Sequence, residues 1–405
     1  MSHDGPYSND RYLLHLFACS LNGELPREIP EDCSWEAVFR LASQNGVQGL
    51  LWEAVKRLNT VPDELRTAWE DVATSILIRN IQLDADRAEI VSRLSGAGIS
   101  YLTLKGAALL PLYPSPSMRT MSDNDILYGF VEPDGNGGFR VRGASERERA
   151  ASQEEAGRIV RNVMRDMGYT VFEHSGDVCD IQFSKAPYYR YEMHFALMEK
   201  HRPYYFYFEN PWKRAIPIGD ETPGAGREFR FSDEDQYIYM IVHAYKHENM
   251  GGEGIRILSD IAIALRAAGE SFDVSYVEKE LSRMDLLDFE RSLRELTFAL
   301  LYGKGLNIHL EELAMRMVAC GQGSVERFVK AKIAEESKAG RWGRFGYLRK
   351  LCSPDYYCPG ELEFLANNRI LRPLFPIGRI VLFISNAMRA PQNQLRKVLA
   401  LLKCK

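Results

Sequence analysis

Apolar positions along the first hundred residues recur at helical spacing. RYLLHLFACSL (11–21) opens a helical stretch over residues 10–58, broken by a Pro-rich turn at 26–30. Ser34 precedes WEAVFRLASQNG as an N-cap, because a short hydroxyl accepts from the first free backbone amides. A longer pattern runs from 65 to 94, in which Ile78, Ile81, Ala85, Ala88, Val91 and Leu94 form one face. Gly96 and Gly98 end it. The period then changes to that of strands. Residues 99–104 make a short apolar run that stops at Lys105-Gly106, and a short helix follows before Pro111, Pro114 and Pro116. A second extended run covers 121–128.

Five glycines between 129 and 143 predict a β-turn excursion or mobile flap with Asp134-Gly135 at its tip. The helix ASQEEAGRIVRNVMRDMG follows, closed by Gly168, and then strand-like segments at 169–172, 178–183 and 189–196. A Pro/Gly-rich connector, PIGDETPGAGREF, leads into helical text that starts at Ser232, an N-cap with Asp and Glu in the first turn. Helical patterning continues through FERSLRELTFALLYG, LEELAMRMVACG and VERFVKAKIAEESKAG to an apolar tail, ILRPLFPIGRIVLFISNAM, and a basic close, LRKVLALLKCK. The chain therefore divides into a helical lead-in (1–98), an α+β core (99–231) carrying the insertion 129–150, and a helical region (232–405).

Composition narrows the class. With 45% hydrophobic and 26% charged residues among 405, the chain has ample material for a core and reads as soluble and globular. Seven cysteines without a C-x-x-C argue against a disulfide framework or zinc knuckle and for a reducing cytoplasm. The start, MSHDGPYSND, is too polar for a signal peptide, and no apolar run reaches the ~18 residues of a membrane span. The net charge of −4 conceals an asymmetry. From Ser324 onward there are 16 Lys or Arg against 6 Asp or Glu, a balance of +10, which leaves −14 for the remainder. Such a region either forms the solvated face of helices docked on an acidic body or meets phosphate-rich partners or anionic surfaces. Docking and membrane-surface attachment are both open for the tail.

The chemistry concentrates in YLTLKGAALLPLYPSPSMRTMSDNDILYGF (101–130). If 121–128 is extended, Asp123 and Asp125 project to one face while Asn124 and Ile126 project to the other. Adjacent carboxylates repel unless a cation lies between them. A hard divalent ion such as Mg²⁺ takes oxygen ligands of this kind, although a polar turn is the simpler alternative. Lys105-Gly106 offers a turn where backbone amides can approach phosphate, but it is no P-loop. Arg119 suits bidentate phosphate contact or an ion pair with one of the aspartates.

The order of strand, K-G turn, helix, Arg and D-x-D strand resembles the nucleotidyltransferase superfamily of DNA polymerase β-like fold. More narrowly, L-K-G-A-A-L, Y-P and R-x-M-x-D-x-D-I-L are similar to a mostly uncharacterised bacterial family of nucleotidyltransferases. R-P-L-F-P is similar to that family's tail, and the excursion after 128 departs from its pattern. The resemblance implies a third carboxylate on a later strand. In YRYEMHFAL, Glu192 and His194 share a face, and Glu192 matches that position. It also implies two Mg²⁺ or Mn²⁺ ions held by Asp123, Asp125 and Glu192, with Lys105, Gly106, Arg119 and Ser122 at the nucleotide. Glu192 could instead pair with Arg190, and Asp180 is a reserve acid.

Farther along, His243 and His247 stand at i, i+4, but H-A-Y-K-H lacks the Glu of H-E-x-x-H and no third ligand is evident. Lys246, His247 and Arg256, with His194, either line the cleft or tie helices together, and Arg256 and Asp260 are again i, i+4. The expectation is a cytoplasmic α+β enzyme: a mixed, mostly antiparallel polymerase β-like sheet wrapped by N-terminal helices. It would move a nucleotide, AMP from ATP foremost, to a hydroxyl or phosphate acceptor. The alternative is a nucleotide-binding partner or sensor without catalysis. Nucleic acid as a partner is allowed but not favoured.

Overall fold

Hydroxyl caps set the starts of the first helices. In the computed structural model, α1 (Asn9–Asn22) begins where Ser8 accepts from Arg11 N and ends at Gly23. Ser34 caps α2 (Trp35–Asn45), its hydroxyl accepting from Ala37 N as expected, and α3 (Gln48–Val55) follows. The structure describes residues 8–389 except 173–178, 201, 203, 220–226, 249–253, 322–328, 330–332, 334–335, 338–342 and 354–361. The polar start (1–7), much of the connector and of VERFVKAKIAEESKAG, and the close LRKVLALLKCK lie outside the described residues.

The long helix α4 (Asp63–Gly96) corrects one expectation. Its buried stripe is Trp69, Ala73, Ile76, Asn80, Leu83, Ile90 and Leu94. Ile78 and Ile81, assigned to the inner face from their hydrophobicity, are 51% and 56% exposed. Two apolar stripes interleave on this helix. The inner one carries Asn80, which donates to the Pro116 and Arg119 carbonyls, so a search for apolar residues alone selects the wrong side.

The central seven-stranded sheet runs β5-β6-β7-β2-β1-β9-β8. Its strands are β1 (Ser100–Leu104), β2 (Asn124–Gly129), β5 (Thr170–Phe172), β6 (Asp180–Lys185), β7 (Tyr189–His194), β8 (Ile216–Pro217) and β9 (Glu228–Arg230). Pairs β2·β7 and β1·β9 are parallel and the others antiparallel, the mixed sheet expected. Strand alternation divides its side chains. Tyr101, Ile126, Tyr128, Tyr191 and Met193 face the second half of α4 and α6 (Glu146–Asp166), meeting Ile90, Leu94, Val160 and Met164. Leu102, Leu104, Leu127 and Phe229 face the other way, into a core shared with the helices after the sheet.

Those helices are α8 (Asp233–Glu248), α9 (Arg256–Ala268), α10 (Val274–Arg283), α11 (Leu287–Leu301) and α12 (Ile308–Cys320). The short α5 (Lys105–Leu109) and α7 (Tyr205–Phe208) precede them, and α13 (Gly343–Leu351), α14 (Glu363–Asn367) and α15 (Phe375–Arg389) come last. The lead-in divides between two surroundings. α1 to α3 join the later helices, with Asn45 Nδ2 donating to Val318 O at 3.0 Å and Asn22 Nδ2 to Leu301 O at 2.7 Å, whereas α4 covers the sheet.

The insertion forms a hairpin, β3 (Val131–Pro133) with β4 (Phe139–Val141). Asp134 accepts from Asn136 N and Gly138 N at its tip. The hairpin leaves the sheet at the end of β2, four residues or roughly 13 Å beyond Asp125. Phe139 stacks edge-on against Phe229 with centroids 5.0 Å apart, and Asn210 Nδ2 donates to its carbonyl. The hairpin is thus packed on the end of the sheet away from the acids, not laid over them.

Candidate active site

Register brings the acids together. Leu104 pairs with Asp125 across β1 and β2, and Asp125 pairs with Glu192 across the parallel β2 and β7. Side chains at paired positions share a face, so Asp125 and Glu192 project together, with His194 two residues farther along β7. Ligand atoms of Asp125, Glu192 and His194 lie within 4.8 Å of one another. Asp123 precedes the first residue of β2, is half-buried, and does not join that group. His194, expected in the cleft, stands in its place.

Two cations balance these carboxylates, Asp125 buried and Glu192 partly so. Lys105 Nζ lies 2.5 Å from Asp125 Oδ1 and 3.7 Å from Glu192 Oε2. His194 Nε2 lies 2.9 Å from the same Asp125 oxygen and 3.6 Å from Glu192 Oε2. Burial opposes charge on the His194 ring, but hydrogen bonds to Asp125 and Glu192 outweigh it and push its pKa up to about 9. Burial likewise would raise the Glu192 carboxyl, yet His194 and Lys105 hold it down at about 2. Asp123 moves the opposite way: burial and then Asp125 raise it, with Lys105, Arg256 and His247 offsetting part. The carboxylates therefore differ in character: Glu192 is fixed as an anion, while Asp123 is the easier to protonate.

The K-G turn departs from the phosphate-cradle expectation. Lys105, not Gly106, takes the left-handed conformation (φ 48°). The following helix α5 spans only five residues, so little dipole builds at its start. Gly106 instead makes room for Arg119, since a Cβ there would sit 2.2 Å from Arg119 Nη1. Arg119 is buried, and its guanidinium holds Asp260 with two bonds, Nε to Oδ1 at 2.8 Å and Nη2 to Oδ2 at 2.9 Å. The Tyr113 hydroxyl donates to the same carboxylate at 2.7 Å. Arg119 is thus committed to Asp260 rather than to Asp123 or Asp125. It fastens the D-x-D loop to α9.

The remaining expected residues surround this face. Lys246 Nζ bonds Glu199 at 3.0 Å, and Arg256 Nη1 donates to Thr120 O at 3.1 Å. His247 and His243 share a hydrogen bond, Nε2 to Nε2 at 3.2 Å. Burial and then nearby Lys105 keep both imidazoles neutral, His247 at about 4. Ser122 is exposed, and Arg79 Nη2 donates to its carbonyl. Asp260 and Tyr113 were not predicted as site residues; the i, i+4 spacing of Asp260 from Arg256 was the available sign, but only the fold reveals its true partner.

A family model described as an uncharacterised nucleotidyltransferase matches residues 31–130 and 152–302, more than half of the chain. The chain belongs to that family. The gap between the matched segments coincides with the hairpin, and the match ends before the basic tail. No curated protein and no solved structure matches.

Membership in a nucleotidyltransferase family implies a nucleotide substrate, and such enzymes typically use divalent metals. The donor set fits one: the buried Asp125 and partly buried Glu192, in register, offer hard oxygen ligands, and a neutral His194 would add a ring nitrogen. Because Lys105 and protonated His194 now neutralise those oxygens, metal entry means exchanging one set of positive charges for another. Among the described residues no helix is long and apolar enough to cross a membrane.

Proposed function

We infer that this nucleotidyltransferase moves a nucleoside monophosphate, AMP from ATP foremost, to a hydroxyl or phosphate acceptor, with Mg²⁺ or Mn²⁺ held by Asp125 and Glu192. The observation carrying this reading is the register of Asp125, buried, with Glu192, partly buried, on neighbouring parallel strands, with Asp123 just ahead of them. When bound, the ion would supply positive charge to the phosphate oxygens and to the departing pyrophosphate. The acceptor oxygen forms a bond to the α-phosphorus as the bond to the bridging oxygen breaks, and pyrophosphate leaves with that electron pair. The acceptor's proton passes to a carboxylate. Asp123, immediately ahead of β2 and outside the Asp125–Glu192–His194 group, is the carboxylate left for that task. Lys105, which now bonds Asp125 and approaches Glu192, would turn its charge toward phosphate once the carboxylates find another cation.

A second reading, nucleotide binding without catalysis, has its own support: Lys105 and His194 already satisfy the acids, as a binding-only protein would need. One experiment separates the two. Labelled NTPs are screened with the purified protein against cell extract, and Asp125→Asn is compared with wild type. The enzyme reading expects metal-dependent label transfer that falls at least ~100-fold in the variant, about 2.7 kcal/mol of transition-state stabilisation. Chelator-sensitive ATP binding with no transfer to any component would favour the binding module. Equal transfer by both proteins would remove Asp125 from the site.

A further inference from the structure

The last described helix, α15, is apolar on two sides. Its inner side is docked: Phe375 is fully buried, and Gly378 lies so close to α14 that a Cβ there would meet Leu365 Cδ1 at 2.8 Å and Leu362 Cδ2 at 2.9 Å. Arg379 Nε anchors the same side by donating to Leu351 O at 3.0 Å. Among the described residues nothing docks on the outer side. Leu374, Ile377, Ile380 and Val381 are 47%, 59%, 57% and 61% exposed, and at 100° per residue they fall within about a third of the circumference. Just before them, Ile370 is 85% exposed. A contiguous aliphatic stripe of this kind marks an interaction surface rather than ordinary surface scatter.

Charge identifies the partner. Between Phe364 and Lys405 the sequence contains Arg369, Arg372, Arg379, Arg389, Arg396, Lys397, Lys403 and Lys405, and not one Asp or Glu. Arg369 and Arg372, just ahead of the stripe in the chain, are exposed and add positive charge there. We propose that this face of α15 lies on an anionic phospholipid bilayer, its aliphatic side chains among the acyl chains, with Arg369 and Arg372 just ahead of it at the headgroups. The inner side of the helix is fastened to the protein through Gly378 and Arg379, so it would rest in the interface instead of spanning it. Other partners fit less well. A second copy would bring like charge against like, and a nucleic acid would meet aliphatic side chains where stacking rings are needed.

The test is co-sedimentation of the full chain with vesicles of phosphatidylcholine alone or with about 30 mol % phosphatidylserine, at low and high salt. The expected result is binding at least ~10-fold stronger to the anionic vesicles, weakened by salt. Ile377→Glu/Ile380→Glu should reduce it at least ~10-fold, and Arg369→Glu should reduce it while leaving the melting temperature unchanged, since these side chains are exposed. Absence of binding to anionic vesicles, equal binding to neutral ones, or full binding by the Ile→Glu variant would each overturn the proposal. So would a wild-type dimer in light scattering that becomes monomeric in the Ile→Glu variant without any vesicle binding. None of these outcomes depends on whether the acid cluster is catalytic.

Discussion

Gly106→Ala distinguishes a phosphate cradle from the packing role the structure gives this glycine. Gly106 has ordinary helical backbone, so alanine alone would favour the helix by up to ~1 kcal/mol. Opposing that gain, the new Cβ would lie 2.2 Å from Arg119 Nη1, 2.8 Å from Cζ and 2.9 Å from Nη2. An ordinary contact needs more than an ångström of extra room. A free arginine would swing away, but this one is held by both Asp260 oxygens, and Tyr113 holds that carboxylate in turn. Relief therefore requires parting a buried ion pair. Loss of such a pair on one side costs about 3–5 kcal/mol, so the net destabilisation is about 2–4 kcal/mol.

The assay is a thermodynamic cycle by urea denaturation, comparing Gly106→Ala in the wild type and in an Arg119→Met/Asp260→Leu background. With the pair replaced by apolar side chains the clash is relieved, and alanine should become neutral or stabilising. In the background variant Tyr113 keeps a partner in Ser259 Oγ at 3.0 Å, so no buried hydroxyl is orphaned. An unchanged wild-type stability, or the same cost in both backgrounds, would refute the reasoning. A phosphate cradle predicts instead that stability survives and only nucleotide affinity falls.

Lys105→Met removes the ammonium between Asp125 and Glu192; the metal-free melting temperature should drop and the rise produced by Mn²⁺ should become larger, and an equal rise in both proteins would count against charge exchange. His15 is held down at about 4 by burial and then Arg27, while an unfolded imidazole titrates near 6.5. The unfolded chain therefore takes the proton first, and stability present above pH 6.5 is lost progressively toward pH 4; His15→Gln should flatten that slope, and an unaltered slope would exclude the assignment.

What the sequence reveals here follows the range of the interaction. Local signals are legible: hydroxyl caps at Ser34 and Ser232 and the two-residue alternation that sends Ile126 and Met193 to the α4 face need only neighbours in the chain. The Asp125–Glu192 juxtaposition was anticipated through resemblance, since no rule of spacing predicts that β2 and β7 pair in parallel across sixty-odd residues. The orientation of α4 was misread because its inner stripe includes a polar residue, Asn80, that serves two carbonyls of the loop before β2. Arg119 was misassigned for a related reason. A planar cation beside two aspartates invites a local partner, whereas its partner, Asp260, comes from a helix far along the chain.

These long-range bonds change what the motif means. In sequence, K-G, R and D-x-D read as three contacts to one nucleotide. In the fold they form two layers. The outer layer is Lys105, Asp123, Asp125, Glu192 and His194, whose charges nearly cancel and, under the proposed function, would be redistributed by an arriving cation or phosphate. Gly106, Arg119, Asp260 and Tyr113 form the layer behind it, packed so closely that the turn carrying Lys105 is fixed to the loop carrying Asp123. A site that trades one cation for another needs such a backing, because carboxylates released from Lys105 would otherwise repel and spread apart. The ion pair that looks like a lost phosphate contact is, on this argument, what keeps the acids in register while the charge above them changes.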